Sequence, residues 1–114
     1  MLILLGVMNN RIMRLIVFFD LPTLTKQDIR EYTKFRTFLL KNGFLMMQKS
    51  VYSRLLLNNN SSKLLKEQII KNLPSSSGII QLMQITEKQF SDIEYLAGNS
   101  KSKVLATTER VVQI

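Results

Sequence analysis

An α+β sandwich with the order strand, helix, strand, strand, helix, strand is the fold class this sequence predicts. Three observations carry the prediction, the first two being four runs rich in β-branched, aromatic and long apolar residues and two intervening segments with helical periodicity. The third is punctuation, because capping residues, glycine and proline fall at the boundaries between those segments.

Strand one is expected over residues 12–19. Its run Leu15-Ile16-Val17-Phe18-Phe19 reads as a strand buried on both faces, and Pro22 cannot continue it. Asp20 therefore stands where a central strand leaves the sheet. A charge there is costly to desolvate unless it is paired, hydrogen-bonded or bound to a metal. Thr25 is the expected N-cap of helix one, with Asp28 as its capping-box partner; the helix runs to Lys41 and stops at Asn42-Gly43. Residues 44–48 and 51–57 form the next two strands. Asn58-Asn59-Asn60 reads as a turn, Ser61 or Ser62 as the cap of helix two, and Pro74 as its end. After the loop Ser75-Ser76-Ser77-Gly78, residues 79–85 supply the fourth strand. Thr86-Glu87-Lys88-Gln89 fits a capping box for a short helix reaching Ile93.

This order is that of the split-βαβ, ferredoxin-like sandwich, with both helices on one face of the sheet. The other apolar face is left open, so a homodimer packed through the two sheets is expected. Residues 8–97 form the domain. Residues 1–7 are apolar but lack a basic flank, are too short to span a bilayer, and are set aside as a flexible or non-native leader. Residues 98–114 read as a polar loop followed by a strand-like segment, 110–114, suited to extending the partner subunit's sheet or docking another protein.

The 114 residues suffice for one domain with a real core. Cysteine and histidine are both absent, which removes thiol nucleophiles, imidazole bases, Cys/His zinc sites and disulfides, and suits the cytoplasm. Sixteen Lys and Arg against eight Asp and Glu leave a formal charge of +8, pointing to a polyanion such as nucleic acid. The charge is polarised. Residues 23–60 hold seven basic and two acidic side chains, whereas residues 86–114 hold four of each. On a helical wheel, Lys26, Arg30, Lys34 and Lys41 share an arc of roughly 80°, opposite Ile29, Tyr32, Phe35, Phe38, Leu39 and Leu40. Such a ridge suits sequence-independent, salt-sensitive phosphate contacts. Arg36 falls inside the apolar arc and needs an acceptor; Asp20 and the C-terminal carboxylate are the two candidates.

Four blocks resemble, in order, the CRISPR-associated Cas-two family: residues 13–22 (MRLIVFFDLP), residues 32–40 (YTKFRTFLL), Gly43-Phe44 with Gln48-Lys49-Ser50-Val51-Tyr52, and Thr86-Glu87-Lys88-Gln89-Phe90. The hairpin ending Leu55-Leu56-Leu57-Asn58-Asn59 is similar to the branch beside single-effector, type II systems. The resemblance implies a ferredoxin-like homodimer whose strand-one acids face each other across the two-fold axis. It also implies Mg²⁺-dependent cleavage of single-stranded RNA or, in some members, double-stranded DNA, and a role as the central dimer holding a prespacer duplex between Cas-one integrase dimers. Only Asp20 matches the family's catalytic and metal position. Phe19 stands where many members have tyrosine, and Met46 where some have a basic residue. Ser50 and Tyr52, near the hairpin bend, are further residues to place.

Two facing Asp20 carboxylates could supply two ligands to Mg²⁺, with waters and phosphate oxygens completing the shell. A stand-alone, toxin-like metal-dependent endoribonuclease of related fold is the alternative reading. An RNA-recognition domain is disfavoured, since its Lys/Arg-Gly-Phe/Tyr-Gly/Ala-Phe block is missing.

Overall fold

Strand β1 (Met13–Asp20) runs up the middle of a four-stranded antiparallel sheet, ordered β2-β3-β1-β4. The structure, a computed structural model, describes residues 12–98. Along the chain, β1 is followed by α1 (Lys26–Lys41), β2 (Leu45–Gln48), β3 (Val51–Leu56), α2 (Asn59–Lys71), β4 (Ile79–Thr86) and the short α3 (Glu87–Ser91). The expected α+β order is therefore observed. The leader and residues 99–114, including the expected C-terminal strand, lie outside the described residues. Among those described, no helix is long and apolar enough to cross a membrane.

Side chains alternate across a strand, and that alternation sorts β1 into two roles. Leu15, Val17 and Phe19 point toward the helices and join Phe35 and Leu39 of α1, Leu65 and Ile69 of α2, and Tyr52 and Leu56 of β3 in one buried cluster. Phe19 packs edge-on against Tyr32 and Phe35 and stacks on Tyr52, with ring centroids 5.4–5.8 Å apart. Arg14, Ile16, Phe18 and Asp20 point the other way. Their cross-strand neighbours there are Val51, Ser53 and Leu55 on β3 and Ile79, Gln81, Met83 and Ile85 on β4. Ile16 and Ser53 are buried at the centre of that face, while Leu55, Ile79 and Met83 are exposed. The helix-free face is thus apolar and largely uncovered, as expected. One corner is closed by α3: the Arg14 guanidinium pairs with Glu87 at 2.6 and 3.1 Å and lies 4.3 Å from the Phe90 ring centre.

Local signals explain the element ends. The Thr25 hydroxyl accepts from the Asp28 N–H while the Asp28 carboxylate accepts from the Thr25 N–H, closing the expected capping box. At the other end of α1, Gly43 N–H donates to Leu40 and Phe44 N–H to Leu39, the paired bonds of a Schellman stop. Leu39 and Phe44 are both buried, which supplies the hydrophobic contact of that motif. The cap of α2 corrects the sequence expectation. Asn58, not Ser61 or Ser62, takes that place: its Oδ1 accepts from the Ser61 N–H at 2.8 Å and from the Ser61 hydroxyl at 3.1 Å. The polar cluster is a cap and first helical turn rather than a free turn, because the Asn58 amide reaches the helix earlier than either serine. The final short helix also ends at Ser91, two residues before Ile93.

Arg36 does not meet Asp20. The two sit on opposite faces of the sheet, and Arg36 lies half-buried beside the Tyr52 hydroxyl. Tyr52 has no exposed surface. Burial pushes its pKa above the ordinary tyrosine value, with the Arg36 guanidinium pulling the other way.

Gly43 gives the clearest stability test. Its φ is +84°, yet the atoms nearest to an added Cβ belong to the Arg54 side chain, at ordinary contact distances of 3.5–3.7 Å. Space is available, so the cost of Gly43→Ala is conformational and should be about 1–2 kcal/mol. Gly43→Asn should cost less, because asparagine tolerates this region. Urea unfolding midpoints would measure both; equal stability of all three proteins would contradict the assignment.

Candidate functional site

Asp20 closes β1, faces the side of the sheet away from the helices, and is exposed. Exposure resolves the desolvation problem that its sequence position raises: within one chain the carboxylate remains in water. The ion pairs among the described residues, Arg14–Glu87 and Lys88–Asp92, leave it out. No group of three or more His, Cys, Asp or Glu side chains that could hold a metal forms among the described residues. Mg²⁺ is commonly held by one or two carboxylates and keeps several waters, so Asp20 meets part of that requirement from a single chain.

The surroundings of Asp20 come from three segments. Phe19 N–H donates to the Ser50 carbonyl at 3.0 Å, which places the Lys49-Ser50 turn of the β2–β3 hairpin beside the end of β1. The Tyr32 hydroxyl donates to the Lys49 carbonyl at 3.2 Å, tying that turn to α1. On the other side, Ile79 is the register partner of Asp20. Ser50 is therefore near Asp20 through its backbone. Phe19 and Tyr52 are not part of a solvent-facing site; both are core residues on the helix side.

Lys26, Arg30, Lys34 and Lys41 are all exposed along α1, opposite its buried residues Phe35 and Leu39. From Lys26 to Lys41 the helix rises about 22 Å, the length of roughly six base-pair steps. Lys34 and Lys41 flank a surface depression of about 350 Å³ that also involves Thr37, Phe38 and Asn42. A second hollow, about 100 Å³, runs from Glu31 and Lys34 across to Lys71 and Pro74. The ridge and Asp20 thus occupy opposite layers, and the structure does not bring them into one pocket.

Two residues emerge only from the fold. Lys71 ends α2 yet faces Lys34 across the smaller hollow; thirty-seven positions of sequence separate them, and no local periodicity links them. Gly78 lies against the backbone of Asp20. Its signal in the sequence is faint: a lone glycine just before the strand that pairs with the exit of β1.

The chain matches the family model described as "CRISPR associated protein Cas2" over residues 13–93. A CRISPR-associated endoribonuclease Cas2 of Treponema denticola is 45% identical over 100 residues, covering 88% of this chain and 98% of that protein. The protein of the same description from Streptococcus mutans UA159 is 43% identical over 100 residues, covering 88% of this chain and 91% of its own. The fold is similar to the crystal structure of Streptococcus pyogenes Cas2 at pH 6.5, with a TM-score of 0.58, 14% identity, and coverage of 74% of this chain and 99% of that one. At that identity the structural likeness speaks for the fold alone. With the central acid-ended strand, the helix-free face and the sequence relatives in agreement, the chain belongs to the Cas2 family of CRISPR-associated proteins.

Proposed function

We propose that this protein serves CRISPR spacer acquisition as a homodimer that binds duplex DNA and bridges integrase dimers, with a Mg²⁺-dependent endonuclease activity centred on Asp20. The observation that carries the reading is the placement of Asp20: an exposed carboxylate at the exit of the central strand, on the face the helices leave open. Packing two such faces together buries Leu55, Ile79 and Met83 and brings two acids toward one axis. The relatives' designation as endoribonucleases supports cleavage of RNA, with single-stranded RNA as the first substrate to try. The Leu55-Leu56-Leu57-Asn58-Asn59 stretch supports the type II-like branch.

The division of labour follows from the layers. Lys26, Arg30, Lys34 and Lys41, exposed on the helix side, neutralise phosphates along one groove of a duplex and fix its register without reading bases. Asp20, on the sheet side, would hold the cation together with the partner subunit's copy. When bound, Mg²⁺ would polarise the scissile phosphate and lower the pKa of an attacking water. The C-terminal segment, outside the described residues, serves as the docking piece for the integrase. The clamp needs only the ridge and the dimer, so the scaffold and the chemistry are separable.

That separation sets two expectations. Asp20→Ala should abolish Mg²⁺-stimulated cleavage while spacer acquisition continues; loss of acquisition by a normally dimeric variant would overturn the scaffold role, and persistent cleavage would overturn the role of Asp20. Alanine at each of Lys26, Arg30, Lys34 and Lys41 should weaken duplex binding about equally for all sequences. Each change should also reduce the slope of log K against log salt by about one. Binding by fluorescence anisotropy across a salt series would measure this, and an unchanged slope in the fourfold variant would reject the ridge.

A further inference from the structure

The loop that leads into β4 ends against the peptide that carries Asp20, and we propose that Gly78 is a positioning residue for the Asp20 carboxylate. The proposal rests on the reading of Asp20 as the metal-holding group. Because Ile79 pairs with Asp20, Gly78 is the residue at which the chain enters the sheet beside the end of β1. A Cβ built on Gly78 would lie 2.7 Å from the Asp20 carbonyl oxygen, 2.8 Å from Leu21 Cδ2 and 3.3 Å from Leu21 Cα. Two of those three atoms are backbone and cannot rotate away as the tip of a side chain does. Gly78 also has a φ of +146°, a conformation that residues with a side chain rarely adopt. Glycine is required there twice, for close approach and for backbone conformation. Among the described residues the contrast is plain: Gly98 has nothing within 4 Å of an added Cβ, and the atoms nearest to one on Gly43 belong to the Arg54 side chain.

The other end of the loop is held by α1. Ser75 N–H donates to Glu31 Oε1 at 3.1 Å, and the second Glu31 oxygen accepts from Gln27 Nε2 at 3.1 Å. The four-residue stretch Ser75 to Gly78 therefore spans from the helix that carries the basic ridge to the backbone of Asp20. Leu21, directly behind, is buried and gives the peptide little room to retreat. A methyl group at position 78 must push the Asp20–Leu21 peptide outward, moving the carboxylate without altering its charge. Metal ligation is sensitive to such a move, since ligand distances are held to about 0.2 Å. Supporting-residue changes around metal sites commonly cost 10–100-fold in affinity or activity.

The test uses the full chain with Mn²⁺ as a paramagnetic probe, following broadening of the Asp20 and Leu21 amide signals in ¹⁵N NMR spectra. Gly78→Ala should need about tenfold or more Mn²⁺ for half-broadening than the unaltered protein. Cleavage should need a matching increase in Mg²⁺, with the substrate concentration for half-saturation and duplex binding unchanged. A purely structural role would instead weaken duplex binding in parallel with the metal response, whereas the strained backbone lowers thermal stability under either role. Glu31→Ala, which frees the loop from its other end, should shift the Mn²⁺ midpoint in the same direction. Glu31→Gln removes the same charge but keeps an oxygen acceptor, and should restore the midpoint. If Gly78→Ala does not fold, the Glu31 pair decides the matter. Equal Mn²⁺ midpoints in Gly78→Ala and the unaltered protein, or in the two Glu31 variants, overturn the proposal. If Mn²⁺ leaves the Asp20 and Leu21 amides untouched in the unaltered protein, the reading of Asp20 itself falls, and the assignment of Gly78 falls with it.

Discussion

The packing of Leu15, Val17 and Phe19 against both helices is the constraint from which the remaining geometry follows. These three side chains fix which way β1 is turned, and the strict alternation of a strand then commits Ile16, Phe18 and Asp20 to the opposite side. A shift of one residue in register would turn Asp20 toward the core and Leu15, Val17 and Phe19 outward. The cost of desolvating a carboxylate and exposing three large apolar side chains makes that alternative untenable. The face that Asp20 occupies is therefore a by-product of core packing.

From that arrangement comes a molecule with two chemically distinct sides. The helix layer presents cations in a line and suits an extended polyanion. The sheet layer presents apolar side chains around a buried Ile16 and Ser53, with the Asp20 carboxylate at its margin. A single carboxylate makes an incomplete site for a divalent ion, and the apolar area around it is what a second subunit would cover. On the proposed reading, the same surface would serve association and complete the acid pair. The loop from Ser75 to Gly78 joins the layers at the Asp20 end, as the Lys49-Ser50 turn does, and is anchored on Glu31 and pressed against the Asp20 peptide.

Much of this was legible in the residues because the deciding forces are local. The β1 run, the Thr25–Asp28 and Thr86–Gln89 capping boxes and the Asn42-Gly43 stop each depend on neighbours within a few positions, and each formed as read. The α2 cap was misplaced by three or four residues because several consecutive polar residues are competent caps, and only the observed amide geometry separates them. Arg36 misled for a different reason. A wheel shows that it sits among apolar residues but says nothing of which layer its guanidinium meets, and Tyr52 rather than Asp20 proved to be there. Lys71 and Gly78 act through contacts between segments distant in the chain, which periodicity and spacing do not encode.

The chain contains no cysteine, so a single introduced thiol reports on one position alone. Asp20→Cys, compared with Lys66→Cys on the exposed side of α2, can be treated with a short thiol-to-thiol crosslinker at low protein concentration. Paired acids at a two-fold axis predict rapid covalent dimer formation through position 20 and little through position 66. Crosslinking at position 20 no faster than at position 66 would contradict the account, because the two carboxylates would then not meet.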